Sequence, residues 1–244
     1  MVIAPALARA RMTLAPTVVF DLDGTLIDTA PDLVATLNII FARENFAPVP
    51  YESARKMVGR GARVMIERGL KAQGRMLPPP ELERLFRDFI AYYGLHIADH
   101  SRPFTGVEPA LAELSGRGCR LAVCTNKLEH LSVALLDALG LSGCFAAICG
   151  QDTFLVQKPE PEILRATIKK AGGRLDAAVM VGDSATDIAV ARAAGIPVIA
   201  VDFGYTDVPA AGLGADRVVS RFADLPAAVF ELMGDRLREV AGKS

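Results

Sequence analysis

Short apolar, strand-like segments alternate with helical segments from about residue 103 to the end of the chain, and this alternation limits the possible folds. Helices of about 10 to 15 residues between consecutive strands indicate right-handed βαβ units, which build a doubly wound parallel sheet. The predicted class is therefore α/β. The predicted strands of this part are Arg120–Cys124, Ala146–Cys149, Ala178–Val181, Pro197–Val201 and, at one edge, Arg217–Val219.

The segment from Thr17 to Asp28 supplies the first strand of the same sheet, because its beginning is apolar and β-branched. Residues 29–98 carry only helical periodicity, so they form an all-helical unit inserted into the α/β unit. One short helix of this unit is predicted from Glu52 to Val58. The predicted parts are a leader (1–16), an α/β core (17–28 and 99–244) and the helical insert (29–98). With strands numbered along the chain, we expect about five to six strands in the order 3-2-1-4-5(-6), as in Rossmann-like sheets.

Composition excludes several classes of function. The chain has 244 residues, is 51% hydrophobic and carries a formal net charge of -1. Because no block of like charge is present, we expect neither a nucleic-acid surface nor a patch for anionic membranes. No apolar stretch reaches the roughly 18 residues of a membrane span. A small, diffusible partner fits these properties, and we expect a monomer or a homodimer.

The first sixteen residues resemble an export signal only superficially. They are apolar, but Pro5 interrupts the run and no basic segment precedes it. We expect a flexible leader, or a translation start at Met12 instead of Met1. Apolar runs contain or flank the four cysteines, Cys119, Cys124, Cys144 and Cys149. Their spacing is unlike that of zinc ligands, so we expect buried reduced thiols and a cytoplasmic location.

Polar side chains follow the predicted strands where these end. Asp21 and Asp23 close the first strand, and alternation along an extended backbone sends both carboxylates to the same side. Ligands of doubly wound sheets bind at the carboxyl ends of the strands, so these ends should share one pocket. A plain acidic turn would explain Asp21 and Asp23 alone. The other strand ends carry Thr125-Asn126, Gln157-Lys158-Pro159 and Gly182-Asp183-Ser184 with Asp187.

Clustered carboxylates repel one another, and a hard divalent cation is the simplest group that stabilises them together. Mg²⁺ takes oxygen ligands and often shares them with a phosphate. Lys158 adds a positive charge for a phosphoryl oxygen or for Asp21, and Thr125 adds a neutral donor. This combination indicates phosphoryl chemistry. Asp21 is the candidate nucleophile, and Asp23 the candidate group that protonates the leaving oxygen and later deprotonates water.

Each signal also has a simpler interpretation when it is taken alone. Thr125-Asn126 could cap the following helix, as could Asp183 with Asp187. Lys158 could lie in a solvated loop. The order and the strand-end placement of all the motifs favour a shared site.

Together the motifs resemble those of the haloacid dehalogenase superfamily of phosphohydrolases. The matching segments are Val18–Leu26 (VVFDLDGTL), Cys124–Asn126 (CTN), Lys158–Pro159, and Val181–Ser184 (VGDS) with Asp187. The resemblance implies a doubly wound core with a helical cap that closes over small substrates. It also implies that Asp21 is the nucleophile and Asp23 the general acid/base. Dehalogenases typically lack a carboxylate at the position of Asp23, since halide leaves without a proton, so its presence implies a phosphate ester.

The same resemblance implies the ligands. The Mg²⁺ ligands would be the carboxylates of Asp21 and Asp183 and the backbone carbonyl of Asp23, with Asp187 in support. The residues that would hold the phosphoryl group or substrate are Thr125, Asn126 and Lys158.

Weaker signals are similar to the phosphoglycolate phosphatase branch of this superfamily. They are Asp28–Leu33 (DTAPDL), Val58–Ala62 (VGRGA) and Phe203–Tyr205 (FGY). This similarity implies hydrolysis of 2-phosphoglycolate to glycolate and phosphate. Arg60, between two glycines, is a candidate for bidentate binding of the substrate carboxylate, and a surface arginine is the alternative.

Other activities stay open at this point. The alternatives are a phosphatase for a sugar phosphate, a nucleotide or pyrophosphate, and a β-phosphoglucomutase-like phosphomutase. An idle binding protein is disfavoured because Asp21, Asp23 and Lys158 are all present. Phosphonate hydrolysis would need a lysine for a Schiff base in the insert, and neither Lys56 nor Lys71 stands in a recognisable pattern.

Overall fold

The computed structural model describes residues 16–206 and 208–241. Within these residues the strands are β1 (Thr17–Phe20), β2 (Ile27–Asp28), β3 (Arg102–Pro103), β4 (Arg120–Cys124), β5 (Ala147–Cys149), β6 (Ala178–Gly182), β7 (Val198–Val201) and β8 (Arg217–Val219). The α-helices are α1 (Ala30–Arg43), α2 (Tyr51–Arg55), α3 (Ala62–Ala72), α4 (Pro79–Leu95), α5 (Val107–Gly116), α6 (Glu129–Ala138), α7 (Pro161–Lys170), α8 (Ala185–Ala194) and α9 (Leu225–Ala241).

Six strands form one sheet in the order β5-β4-β1-β6-β7-β8. All neighbouring pairs are parallel, and β1 lies between β4 and β6. Counted along the chain, this is the order 3-2-1-4-5-6, so the predicted doubly wound α/β sheet is confirmed. Its sixth strand is the predicted edge strand.

Both faces of the sheet are covered, as the continuous apolar character of β1 requires. Val18 and Phe20 pack into a cluster with side chains of α5, α6 and α9. Val19 points to the opposite face and packs with side chains of α7 and α8. The side chains of β1 therefore pack alternately into the apolar layers on the two faces of the sheet. The polar residues follow at the carboxyl end of the strand.

The segment that separates β2 from β3 is helical, as predicted. Helices α1 to α4 share an apolar cluster of their own, which includes Leu37, Phe41, Ile66 and Phe89. Leu131 of α6 also belongs to this cluster, so the insertion packs directly on the core. The exact domain boundaries at residues 28 and 98 stay a prediction.

A short antiparallel ribbon joins the two chain segments that enter and leave the insertion. Ile27 pairs with Pro103, and Asp28 pairs with Arg102. The sequence did not predict this ribbon, because two-residue strands have no periodicity to detect.

Two other expectations differ from the structure. The helix predicted from Glu52 to Val58 ends at Arg55, where the chain continues in turns closed by the backbone bonds of Met57 to Ala54 and Val58 to Arg55. The cysteines are all free, but Cys144 is exposed in a 3₁₀ turn, whereas the other three are buried as predicted.

Some expectations fall outside the described residues. Residues 1–15, which hold both proposed start positions and nearly all of the predicted leader, are among them. Within the described part of the chain, no helix combines the length and the apolar character needed to cross a membrane.

Tyr205, after β7, ties the core to the start of the insertion. Its hydroxyl donates to Asp28 Oδ1 at 2.6 Å and accepts from the Ala30 backbone N–H at 2.9 Å. The guanidinium of Arg55 lies 5.0 Å from the centre of its ring. Burial and the bond to Asp28 raise the pKa of Tyr205, so the hydroxyl keeps its proton and both hydrogen bonds.

Replacing Tyr205 by Phe should therefore destabilise the protein. The change removes the partner of the buried Ala30 N–H and should lower the free energy of unfolding by about 1–3 kcal/mol. Tyr51→Phe is the matched control, since Tyr51 is 42% exposed, and it should change this free energy by less than about 0.5 kcal/mol. Urea unfolding measures both variants, and equal effects would contradict the assigned role of Tyr205.

Candidate active site

Asp21 begins the loop after β1 and is buried at the carboxyl end of the sheet. Its backbone N–H continues the ladder by donating to the Val181 carbonyl at 2.9 Å. Its Oδ1 accepts from the Leu22 N–H at 2.7 Å and lies 2.9 Å from Lys158 Nζ. Only 2% of Asp21 is exposed. The backbone and Lys158 therefore fix the orientation of this carboxylate.

Asp183, after β6, lies in the same acidic cluster. Thr25 Oγ1 donates to its Oδ1 at 3.0 Å, and the Tyr205 N–H donates to its Oδ2 at 2.8 Å. Gly24 and Gly204 pack their backbones against this carboxylate: a Cβ would stand 2.6 Å from Asp183 Oδ2 at Gly24 and 2.3 Å from Asp183 Cβ at Gly204. Both positions therefore need glycine, and Gly24 also adopts a left-handed φ of 86°.

Asp187 completes the cluster from the first turn of α8. Its Oδ2 accepts from the backbone and side chain of Ser184, which forms a capping box at the helix start. Its Oδ1 lies 2.6 Å from Lys158 Nζ. The capping interpretation of Asp187 is thus correct, and the same residue also contacts the site lysine through its other oxygen.

Lys158 lies between Asp21 and Asp187 and is 2% exposed. The solvated-loop interpretation of this lysine is therefore wrong. Asn126 holds its backbone from both sides, because Asn126 Oδ1 accepts from the Lys158 N–H and Asn126 Nδ2 donates to the Lys158 carbonyl. Neither Thr125 nor Asn126 caps α6, whose N-cap residue is Leu128. Thr125 is buried beside them.

The sequence predicted that the Asp21 and Asp23 carboxylates point into one small volume. In the structure they contact different lysines, Lys158 and Lys127 respectively. Asp23 Oδ1 accepts from Thr29 Oγ1 at 2.8 Å and lies 3.1 Å from Lys127 Nζ. The group of carboxylates that could share a metal ion contains Asp21, Asp183 and Asp187, and it leaves out the Asp23 side chain.

Lys127 is the residue that the sequence reasoning missed. Its ammonium contacts Asp23 and donates to Tyr93 Oη on α4 at 3.0 Å. Burial lowers its pKa, but Asp23 and Tyr93 more than offset this and raise the pKa above the ordinary lysine value. A usable signal was present, because Lys127 directly follows Thr125-Asn126 at the end of β4.

Arg60 stands apart from these buried groups. It is exposed in the turn between α2 and α3 and lines an open cleft of about 360 Å³. Asp183 and Ser184 line the other side of the cleft. A smaller cavity of about 30 Å³ lies between the insertion and the core, next to Asp23 and Lys127. The open cleft therefore borders the acidic cluster at Asp183, whereas the small cavity borders Asp23 and Lys127.

Burial and mutual repulsion dominate the electrostatics of the cluster. Desolvation raises the pKa of Asp21 to about 8 against the lowering effect of Lys158, and Asp187 and Asp183 raise it further. Desolvation and Asp187 raise the pKa of Asp183 to about 7. Burial lowers the pKa of Lys158, whereas Asp187 and Asp21 raise it by more, so Lys158 stays charged.

The cluster has the donor chemistry of a site for a hard cation. Carboxylate oxygens of its three members lie within 4.8 Å of one another. Three ionised carboxylates and one lysine would leave an excess of negative charge in a buried site, which a divalent cation would offset. The buried acidic cluster is thus metal-binding-like.

A doubly wound parallel sheet with a carboxylate-based site at its strand ends and a helical insertion beside that site defines a class of α/β hydrolases. The family model described as haloacid dehalogenase-like hydrolase matches residues 18–201. The chain belongs to this family.

Individual relatives agree with this assignment. The chain is similar to a protein of Caulobacter vibrioides named phosphoglycolate phosphatase, with 48% identity over 89% of this chain and 92% of the relative. A Mesorhizobium japonicum protein of the same name is 50% identical over 93% of this chain and 98% of the relative. Among solved structures, one described as a predicted phosphoglycolate phosphatase from Haemophilus somnus has a TM-score of 0.81 at 30% identity, covering 88% of this chain and 97% of that one.

The raised pKa values predict how stability depends on pH. A carboxyl whose pKa lies near 7 or 8 in the folded protein, against 3.8 otherwise, binds protons more tightly when folded. Without divalent cations, the melting temperature should therefore fall as the pH rises from about 5 to about 8. Added Mg²⁺ should weaken this fall, because it stabilises the ionised carboxylates.

Thermal unfolding at several pH values, in EDTA and in MgCl₂, measures this dependence. Asp183→Asn should flatten the fall in EDTA, since one of the repelling carboxylates is then neutral. A melting temperature that rises through this pH window in EDTA would show that the cluster does not carry the proposed repulsion.

Proposed function

We propose that this protein is a Mg²⁺-dependent phosphoglycolate phosphatase that works through an aspartyl-phosphate at Asp21. The observation that carries the proposal is the buried carboxylate cluster at the strand ends, with the Lys158 ammonium 2.9 Å from Asp21 Oδ1. The names of relatives at 48–50% identity over about nine tenths of the chain support the substrate.

Asp21 is the nucleophile of the first step. Its carboxylate oxygen forms a bond to phosphorus while the bond from phosphorus to the ester oxygen of the substrate breaks. Asp23 gives its proton to the ester oxygen, so glycolate leaves as an alcohol. The separation of Asp23 from the acidic cluster supports this division of roles, because Asp23 faces the insertion through Lys127 and Tyr93.

Water completes the reaction in a second step. Asp23 takes a proton from the water as its oxygen attacks phosphorus, and the bond between phosphorus and Asp21 breaks. Phosphate is released, Asp21 is again a free carboxylate, and Asp23 again carries its proton. The insertion, which packs on the core beside Asp23, would limit the access of bulk water during this cycle.

The remaining groups position the phosphoryl group. Lys158, Thr125 and Asn126 are buried together at the ends of their loops and would hold its oxygens. Mg²⁺ would be held by Asp21, Asp183 and the Asp23 carbonyl with Asp187 in support, and when bound it would offset the negative charge of the carboxylates and the phosphoryl group.

The dimensions of the site favour a small substrate. The cavity beside Asp23 holds about 30 Å³, and most of its lining is apolar. A cavity of this size favours a small substituent on the phosphate over a hexose or a nucleoside. A solved structure of CbbY from Rhodobacter sphaeroides in complex with phosphate is also similar, with 27% identity over 86% of this chain and a TM-score of 0.73. A CbbY variant solved in complex with xylulose-1,5-bisphosphate has 26% identity over 86% of this chain and a TM-score of 0.71, so sugar phosphates belong among the esters that are compared.

We also propose a cytoplasmic location, which free cysteines support, and a monomer or a homodimer as the assembly. No nucleic-acid or membrane partner is proposed.

Asp21→Asn should abolish turnover. An amide is a poor nucleophile, so phosphate release from phosphoglycolate with Mg²⁺ should fall by at least roughly a thousand-fold. Asp137→Asn is the matched control, because Asp137 is exposed on α6, and it should retain activity. The same assay over small phosphate esters, with EDTA added in parallel, tests the substrate and the metal. Retained activity of Asp21→Asn would refute the assigned nucleophile.

Product analysis with a hexose 1-phosphate separates a phosphatase from a phosphomutase. A phosphatase releases phosphate, whereas a phosphomutase returns an isomer of the sugar phosphate.

Arg60→Ala decides between the two interpretations of Arg60. If the exposed guanidinium binds the substrate carboxylate, the variant should lose at least about ten-fold of its preference for phosphoglycolate over ethyl phosphate. An unchanged ratio of kcat/KM values would assign Arg60 to the surface of the cleft.

A further inference from the structure

Lys127 has no role in the chemistry described so far, although it lies beside Asp23. It is 7% exposed, and within the described part of the chain Lys127 and Lys158 are the buried lysines. Its Nζ lies 3.1 Å from Asp23 Oδ1 and 3.0 Å from Tyr93 Oη, with the ring centre of Tyr93 at 4.4 Å. Burying an ammonium group costs desolvation free energy unless anionic or hydrogen-bonding partners offset it.

The two buried lysines differ in how far their charge is offset. Lys158 contacts two carboxylates, those of Asp21 and Asp187. Lys127 contacts one carboxylate and one phenol, and burial raises the pKa of Tyr93 to about 12, so that phenol is neutral. An ammonium has three N–H bonds, and the contacts found among the described residues use two of them. Lys127 is thus better suited than Lys158 to accept a further anion.

The position of Lys127 matches the shape of the proposed substrate. Asp23 protonates the ester oxygen and must therefore lie within roughly 2.7 Å of it. In phosphoglycolate, a single CH₂ group separates that oxygen from the carboxylate carbon. A cation in contact with Asp23 is consequently close enough to bind the carboxylate of a substrate whose ester oxygen faces Asp23.

The apolar surroundings of Lys127 mean that a substrate carboxylate entering this cavity needs a cation beside it. The cavity beside it is lined mostly by apolar side chains, including Leu33, Met65, Phe86, Phe89 and Leu131. A carboxylate that entered this space without a cation would lose its hydration and gain nothing in return. Arg60 lines the other, open cleft, where water screens its charge.

We propose that Lys127 binds the carboxylate of the phosphate-ester substrate and selects phosphoglycolate over esters that lack a carboxylate. The inference rests on the proposed function and adds a specificity-determining residue to it. Tyr93, on α4 of the insertion, positions the ammonium by accepting its hydrogen bond, so the carboxylate subsite is shared between the core and the insertion.

The test compares phosphoglycolate with ethyl phosphate, a two-carbon ester that lacks the carboxylate. Lys127→Met should lower kcat/KM for phosphoglycolate, mainly through KM, by at least about twenty-fold more than it lowers kcat/KM for ethyl phosphate. Lys127→Gln keeps a polar side chain without the charge and should show the same selective loss. Lys169→Met is the control, since Lys169 is exposed on α7, and it should change neither value.

Other outcomes overturn the inference. An equal loss for both esters would mean that Lys127 serves Asp23 alone, and no loss for either would mean that it serves neither group. Circular dichroism and thermal unfolding establish that the variants are folded. If Lys127→Met does not fold, Lys127→Gln provides the test. A wild-type protein without any preference for phosphoglycolate would instead refute the proposed function, so the two failures are distinguishable.

Discussion

Three carboxylates buried within 4.8 Å of one another are the constraint on which the rest of the structure depends. Their repulsion would favour unfolding, and Lys158 relieves it only in part because one ammonium faces both Asp21 and Asp187. Neighbouring groups supply the remaining support: the Leu22 and Tyr205 N–H groups, Thr25 and Ser184 each donate to a cluster member. The cluster therefore keeps an excess of negative charge when its carboxylates are ionised, and a hard divalent cation would offset that charge.

The sequence predicted the core well because its signals are local. β4 and β8 have the predicted bounds, and the strand order is the one expected for a Rossmann-like sheet. The convergence of Asp21, Lys158 and Asp183 followed from one rule, that parallel strands end at a common edge. Residues far apart in sequence could thus be placed together without any contact being known.

The features that the sequence did not predict depend on contacts between distant side chains. Tyr205 bonds with Asp28 across 177 positions, and Lys127 bonds with Tyr93 across 34 positions. Nothing in the local pattern of Tyr205 distinguishes its contact from exposure to solvent, and the strand-end position of Lys127 indicates the site but not the partner Tyr93. Alternation placed Asp21 and Asp23 on one side, but Leu22 begins a tight turn after the strand, and Asp23 was turned toward Lys127. That turn gives the two carboxylates different neighbours and, in the proposed mechanism, different tasks.

The most direct test of phosphoryl transfer to Asp21 is acid quenching during turnover of phosphoglycolate with Mg²⁺, followed by borohydride reduction and peptide mapping by mass spectrometry. Reduction of an acyl-phosphate converts its aspartate to homoserine. We expect homoserine at position 21 and an unmodified Asp23. Modification at another residue, or none while phosphate is being released, would contradict the mechanism.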